Sequence, residues 1–350
     1  MNRLSFLILL FFIQVACKNA PQVAATVDRD HDFLEFMSKE DGAKYLVDGE
    51  INGYYDHLSV CHMGLQTKSK KLYPSRSRAL EAYKKITTAQ TLDFTDGDVA
   101  FMMEVFDSVT TLLVAVNPDL VLPKIKLIKV TEEHYGKTVY YTRGEAIVIP
   151  EDIFVEPNMD MQVKVMLHEI FHILSRYEKE MREDLYQLIG FYAHGHKLVL
   201  DPPVKKRLMV NPDGVSMDYA IRLSPDGGGE SVEAIPLIRS THLEYTEALP
   251  NFFDYVSFDL YHVEVDGKVG YVRANEDGSS KMDKIHFPDF FRQIKDNTQY
   301  IIHPDEIMAD NFMHAIKSEN AGDFKGFSEE GQVLLNDVLN VLKAFERTDK

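Results

Sequence analysis

Apolar residues recur at helical spacing over most of this chain and fall into short apolar or alternating runs in its middle. Spacing of i, i+3, i+4 and i+7 puts apolar side chains on one helix face, whereas alternation puts them on one face of a strand. The pattern predicts helices over 32–46, 77–89, 98–116, 160–177, 178–193, 286–320 and 328–347, strands over 125–130, 138–142 and 145–150, and a β-rich stretch over 198–274. It therefore indicates an α+β fold with a mostly helical body.

The predicted helix over 160–177 is apolar around most of its surface, yet it contains the string His168-Glu169-Ile170-Phe171-His172. A helix stacks residues i and i+4 on one face, so His168 and His172 can bind one metal ion. Glu169 then lies beside the metal, where it can take a proton from a water. A chance string is the alternative, but chance matches mostly fall on polar surface helices. The motif and its context predict a catalytic Zn²⁺ site.

A catalytic zinc site takes three protein ligands and leaves one position open. One known spacing needs glycine three residues after His172 and histidine six residues after it, but Ser175 and Glu178 stand there. Further along, Glu306 and Asp310 form an i, i+4 pair of acids on an apolar segment. Two stacked acids in such a segment need a cation, so Glu306 is the leading candidate for the third ligand. The other candidates are Glu180, Glu183 and Glu244.

These two patches resemble the gluzincins, the thermolysin-like and neprilysin-like zinc metallopeptidases, whose HExxH site is completed by a glutamate in an E-x-x-x-D pattern on a later helix. The resemblance implies that Glu306 is the third zinc ligand and that Asp310 accepts a hydrogen bond from the free ring nitrogen of His168. It also implies a zincin-like fold, with a small antiparallel sheet bordering the cleft and a β-rich insertion between the metal-binding helices. The G-x-M-E-N signature of the aminopeptidase branch is absent from the sequence.

A predicted hairpin with Arg143-Gly144 at its turn directly precedes the HExxH helix. In zinc peptidases of this build an edge strand borders the cleft and pairs with an extended peptide, as sheet edges can do. We expect residues 144–149 to be that edge strand. A plain structural hairpin is the alternative.

The charge of the chain limits its partners. With 350 residues and a formal net charge of −17, the protein can bury a large core but offers little support for binding nucleic acid or an anionic membrane surface, both of which need clustered Lys and Arg. The expected partner is a peptide or protein substrate.

The first 17 residues read as a secretory signal. Arg3 precedes an uncharged apolar run over 4–13, and Ala16 precedes Cys17. The Ala-Cys ending resembles a bacterial lipoprotein signal, in which Cys17 becomes lipidated, although Gln14 departs from the usual Leu-like residue. Ordinary cleavage near Ala20 is the alternative.

The chain contains two cysteines, Cys17 and Cys61. Lipidation of Cys17 would leave Cys61 without a partner, so no intrachain disulfide is expected. A bridge between the two stays open only if the signal is cut upstream of Cys17 without lipidation.

The sequence thus divides into a signal over 1–17, a polar tether over 18–30, an HExxH part over 31–197, a β-rich insertion or lobe over 198–290 and a helical part over 291–350. We expect a zinc metallopeptidase of a bacterial cell envelope, held to the membrane by a lipid anchor only, with Glu169 as general base. A donor to the oxyanion is also expected, and its candidates are Tyr245, Tyr300, His303 and His314. The alternative is a non-catalytic envelope protein that retains the scaffold for binding.

Overall fold

The computed structural model describes residues 32–283 and 286–346. The predicted signal over 1–17, its lipidation site Cys17 and the tether over 18–30 lie outside the described residues, so the lipid anchor stays a prediction. Cys61 is buried and free, and its thiol donates a hydrogen bond to the carbonyl of His242 at 3.3 Å. Helices and strands mix throughout the described part, and the prediction of a general α+β fold is confirmed.

The helices of the described part are α1 (Lys39–Val47), α2 (Tyr54–His57), α3 (Val60–Gln66), α4 (Arg76–Ala89), α5 (Asp96–Val116), α6 (Met159–Tyr177), α7 (Lys179–Leu188), α8 (Pro202–Arg207), α9 (Asp289–Ile294), α10 (Pro304–Ala321) and α11 (Glu329–Ala344). Short 3-10 turns lie at Glu151–Phe154 and Phe252–Tyr255. The HExxH motif lies on α6, close to the predicted bounds.

Three predicted helices have different bounds, one because a strand precedes it and two because the backbone turns into a left-handed conformation. The helix predicted over 32–46 begins only at Lys39, after a short strand. The helix predicted over 178–193 ends at Leu188, followed by Gly190 with a φ of +81°, a left-handed conformation that favours glycine. The helix predicted over 286–320 is two helices, α9 and α10, since Lys295 has a φ of +64° and the chain restarts as a helix at Pro304.

The first sheet contains β1 (Leu34–Phe36), β2 (Thr91–Leu92), β3 (Ile125–Val130), β4 (Tyr141–Arg143) and β5 (Ala146–Pro150). Its order is β1-β3-β5-β4, and β2 pairs with β3. The prediction of an antiparallel sheet is wrong, because β1 and β5 both run parallel to β3, whereas β2 and β4 run antiparallel to their neighbours.

The predicted hairpin forms, but its edge strand is β4 and not the strand that was expected. The prediction that residues 144–149 form the edge is wrong: β5 lies between β3 and β4, and β4 is the edge strand. Every residue of β5 is buried, and so is every residue of β4, but β5 is the longer and wholly apolar strand and has a neighbouring strand on both sides. The shorter β4, which carries Thr142 and Arg143, takes the edge.

The second sheet confirms the predicted β-rich stretch. It contains β6 (Phe191–Ala193), β7 (Lys197–Leu200), β8 (Leu208–Met209), β9 (Tyr219–Leu223), β10 (Val232–Ser240), β11 (Val256–Asp266) and β12 (Val269–Val272). Its order is β6-β9-β10-β11-β12-β7, with β8 paired to β10. Ile221, Ala234 and Leu260 from this sheet share one apolar core with the helices.

Helix α6 contributes to that core and packs against both α5 and α10, which also pack against each other. Phe171 of α6 contacts Phe312 of α10 with ring centroids 5.4 Å apart. By length and composition α5 could cross a membrane, and its residues Met102, Val105 and Phe106 are fully buried in the apolar core. The packing of α6 against α10 sets the two predicted motifs face to face.

Candidate metal centre

Local capping fixes the positions of the two helices that form the centre. The side chain of Asn158 caps α6 by accepting a hydrogen bond from the N–H of Met161. Helix α10 begins at Pro304, and the ring of the preceding His303 accepts a hydrogen bond from the N–H of Asp305 at 3.1 Å. A proline in the first turn and a polar cap before it define where α10 starts. These caps hold both motifs in a fixed register.

Three predicted ligand side chains converge between α6 and α10. Nε2 of His168 lies 3.1 Å from Oε2 of Glu306, and Nε2 of His172 lies 3.6 Å from the same oxygen. One ligand atom from each of the three residues can be chosen so that all lie within 4.8 Å of one another, which is close enough to hold one metal ion. The other candidates do not join this group: Glu180 and Glu244 are exposed, and Glu183 forms an ion pair with Lys179.

Each histidine is oriented by an aspartate on its other ring nitrogen. Nδ1 of His168 lies 2.8 Å from Oδ1 of Asp310, as the gluzincin resemblance implies, and Nδ1 of His172 lies 2.9 Å from Oδ2 of Asp305. Because a carboxylate is a hydrogen-bond acceptor, each Nδ1 carries a proton, so in the neutral imidazole the lone pair lies on Nε2, the atom that faces Glu306 and can bind a metal. Asp305 was missed by sequence reasoning, although it directly precedes Glu306.

Further hydrogen bonds hold these aspartates in place. Asp305 accepts hydrogen bonds from the hydroxyl of Tyr186 at 2.5 Å and from that of Ser175 at 3.2 Å. Asp310 accepts one from the hydroxyl of Thr298. Ser175 stands where another zinc-peptidase spacing needs glycine. Its hydroxyl thus supports Asp305, the aspartate that orients His172.

The buried acids of the centre favour positive charge. Burial raises the pKa of Glu169 to about 8, and the nearby Asp213 carboxylate adds to the rise. Burial by itself would lower the pKa of His172, but surrounding carboxylates, led by Glu306, outweigh it and raise that pKa to about 9. Burial likewise opposes ionisation of Glu306, yet His172 and His168 hold its pKa below the usual value. Protons on the imidazoles and a metal cation therefore compete for this centre.

Two buried atoms in the centre have no hydrogen-bond partner within the described part of the chain: Nε2 of His172 and Oε2 of Glu169. An unpaired buried polar atom is costly, so native proteins rarely leave one without a ligand or a water. A metal bound at Nε2 of His172 would remove one of these costs. The donor set, two imidazole nitrogens and one carboxylate oxygen, is one that zinc takes in catalytic sites.

Comparisons of the chain with protein-family models, with curated proteins and with solved structures found no match. What this centre does is therefore inferred from its own residues. The resemblance to gluzincins stays a hypothesis carried by the HExxH and E-x-x-x-D patterns.

Of the four candidate oxyanion donors, Tyr300 is the one whose ring lies against a predicted ligand. It stacks on His168 with ring centroids 6.2 Å apart and an interplanar angle of 20°. His303 instead caps α10, the ring of His314 packs against Phe327, and the ring of Tyr245 packs against Tyr255. Tyr300 is therefore the strongest of the four candidates.

The turn over residues 211–214, inside the stretch predicted to be β-rich, also borders the centre. Its Asn211 amide donates a hydrogen bond to Oε1 of Glu306. Its Asp213 offers a carboxylate oxygen within 4.8 Å of Glu169 and of His172. The sequence Asn-Pro-Asp-Gly is typical of turns, which hides such a role.

Removing either supporting aspartate should weaken the metal site without removing a ligand. We expect Asp310→Ala and Asp305→Ala each to lower zinc affinity by about 10- to 100-fold, the usual effect of losing a hydrogen-bond partner of a metal ligand. Asp305→Ala should also lower thermal stability, because the buried hydroxyl of Tyr186 loses its acceptor. Competition with a chromophoric chelator measures the affinity, and thermal unfolding the stability.

The matched control is Asp160→Ala, since Asp160 also lies on α6 but forms only surface ion pairs, with Lys164 and Lys317. We expect its zinc affinity to equal that of the wild type. Unchanged affinity in both Asp305→Ala and Asp310→Ala would mean that these hydrogen bonds do not support a metal site.

Proposed function

We propose that this protein is a zinc-dependent peptidase of the gluzincin type, in which His168, His172 and Glu306 hold the metal. The observation that carries the proposal is the convergence of both Nε2 atoms on Oε2 of Glu306, at 3.1 and 3.6 Å. The hydrogen bonds from each Nδ1 to an aspartate support it, because they leave the two Nε2 atoms for a metal.

Zn²⁺ bound by these residues would act as a Lewis acid on the scissile carbonyl and would lower the pKa of a water. Glu169 would be the general base, because the charge of a bound cation would lower its raised pKa and leave it ionised. Its buried Oε2, which has no partner in the described part of the chain, could then accept the proton of the attacking water. Glu169 would then return that proton to the leaving amine nitrogen. Tyr300, which stacks on His168, is the candidate donor to the oxyanion.

The second candidate function is a non-catalytic envelope protein that uses the centre for binding or support. The position of Asp213 favours it, because a fourth protein ligand would close the site as in structural zinc sites. The unpaired oxygen of Glu169 weighs against it, since a purely structural site needs no general base.

The test is digestion of a proteome-derived peptide library by the purified, zinc-loaded protein. We expect new cleavage products that a chelator abolishes and added zinc restores. A library left intact by protein that carries one zinc per chain would favour the non-catalytic alternative. The cleavage positions would also give the substrate preference.

We further propose that the chain is exported and tethered through a lipid on Cys17. Metabolic labelling with a palmitate analogue should mark the wild type and leave Cys17→Ala unmarked, because the cysteine is the residue that becomes lipidated in such signals. Cys61→Ala is the matched control and should label like the wild type. An unlabelled wild type would contradict the anchor and would leave export by ordinary cleavage near Ala20.

A further inference from the structure

The turn over residues 211–214 lies against the candidate metal centre, and no step of the proposed reaction uses it. We call this turn the latch. Its Asn211 amide donates a hydrogen bond to Oε1 of Glu306, the carboxylate whose other oxygen faces the histidines. Its Asp213 carboxylate lies within 4.8 Å of Glu169 and of His172. The latch thus contacts both the proposed ligands and the proposed base.

The latch also occupies the edge of the first sheet. Thr142 lies in the edge strand β4, and its N–H donates to Oδ1 of Asp213 at 2.5 Å. The Thr142 hydroxyl donates to the same oxygen at 2.7 Å. A peptide that adds as a strand to β4 needs this backbone group. The latch and such a peptide therefore exclude each other.

Arg176 of α6 fastens the latch from the side. Its guanidinium donates to the carbonyl oxygen of Asp213 at 2.7 Å and to that of Gly144 at 3.0 Å. It also donates to the hydroxyl of Thr142 at 2.5 Å. These bonds join the latch to β4 through groups that are not proposed to bind metal.

The latch has fixed ends and room to move. Val210 and Val215, which flank it, pack into an apolar cluster, whereas the latch itself is held by hydrogen bonds. Asp213 and Gly214 line a cavity of about 470 Å³, together with Arg182 and Tyr186. Protein interiors are otherwise close-packed, so the latch has space on the side of this cavity, while its Gly214 also lies close against the ring of His303.

With the latch in place most of the centre is buried, although the side chain of His168 keeps an exposed fraction of 14%. The exposed fractions of Glu169, His172 and Glu306 are 5%, 0% and 1%. A scissile carbonyl must reach the open position of a metal held in this centre, and the latch lies against two of these residues, Glu169 and His172.

We propose that the latch is a built-in autoinhibitory segment, which keeps the centre closed until it withdraws and exposes both the metal ligands and the edge of β4. The identity of the substrate rests on the proposed function, whereas the covering of the metal centre does not. In the closed state Asp213 bonds to the N–H of Thr142; in the open state that N–H pairs with the backbone of a peptide.

Three variants loosen the latch at different points. Asp213→Ala removes the carboxylate, Thr142→Val removes one hydroxyl with little change in shape, and Arg176→Gln removes the guanidinium. Thr138→Val is the matched control, because the Thr138 hydroxyl bonds only to the carbonyl of Lys137. The variants are compared in the full-length protein by the rate of zinc uptake, the rate of zinc release to a chelator, and hydrolysis of a peptide library.

Loss of a hydrogen bond to a charged group shifts an equilibrium by about tenfold or more. We therefore expect the rates of zinc uptake and of zinc release both to rise about tenfold in the three variants. The zinc dissociation constant should change by less than about threefold, because removing a cover speeds uptake and release alike. Peptide hydrolysis should rise with them. Thr138→Val should match the wild type in every measurement.

The outcomes separate the latch from the peptidase assignment. Faster zinc uptake and release without hydrolysis in any variant would support the latch and contradict the peptidase. Unchanged rates of zinc uptake and release would overturn the latch proposal. Hydrolysis that falls while only zinc release becomes faster would also overturn it, because that result marks Asp213 as a ligand or catalytic group. Failure of every variant to take up zinc would overturn both proposals.

Discussion

Glu306→Ala should lose zinc during dialysis against a weak chelator under conditions in which the wild type keeps it. Two histidines would remain on the metal, and the loss of one of three protein ligands should lower zinc affinity by more than about 100-fold, the upper end of the effect of losing only a supporting hydrogen bond. Peptide hydrolysis should fall with the zinc content. The zinc remaining after dialysis is measured by atomic emission and the activity on the same samples.

Two further variants make this result specific. Glu306→Gln keeps the size of the side chain but removes its charge, so it should also lose zinc, which separates ligation from packing. Glu319→Ala lies on the same helix, and Glu319 pairs with Lys343 at the surface, so zinc should be kept. Full zinc occupancy and activity in Glu306→Ala would contradict the gluzincin assignment.

Glu169→Gln should keep its zinc and lose its turnover. The amide is nearly the same size as the carboxylate but cannot accept a proton at the buried Oε2 position, so kcat should fall by roughly 10²-fold or more. The measurement is kcat on a peptide found in the library digest, with zinc content determined in parallel.

Glu180→Gln is the matched control, because it makes the same chemical change at an exposed position of α7. It should hydrolyse peptides like the wild type. Comparable turnover in Glu169→Gln and the wild type would mean that Glu169 is not the general base. Loss of zinc from Glu169→Gln would instead point to Glu169 as a ligand.

Local sequence signals predicted most helices and strands, but they did not predict which strands pair with one another. The apolar face of α6 and the apolar runs of β3 and β5 are local properties, and these elements form close to where they are predicted. The place of β5 inside the first sheet is different, because it depends on which strands cover its two sides. Strand pairing is a contact between distant parts of the chain, and periodicity does not encode it.

The same limit applies to the centre. His168 and His172 could be paired from their spacing, and Glu306 and Asp310 from theirs, because a helix fixes which residues share a face. The structure brings these two pairs together. Asp213 could not be found in this way, since its turn reaches the centre only through the folding of the second sheet, and Asp305 was overlooked because i, i+1 neighbours point in different directions on a helix.

The most direct test of the metal centre is X-ray diffraction from crystals of the zinc-loaded protein, recorded on both sides of the zinc absorption edge. We predict one anomalous peak at about 2.0–2.2 Å from Nε2 of His168, from Nε2 of His172 and from a carboxylate oxygen of Glu306, with Glu169 near the metal but not bound to it. A peak held by Glu169 and Asp213, or no peak between α6 and α10, would contradict the centre described above.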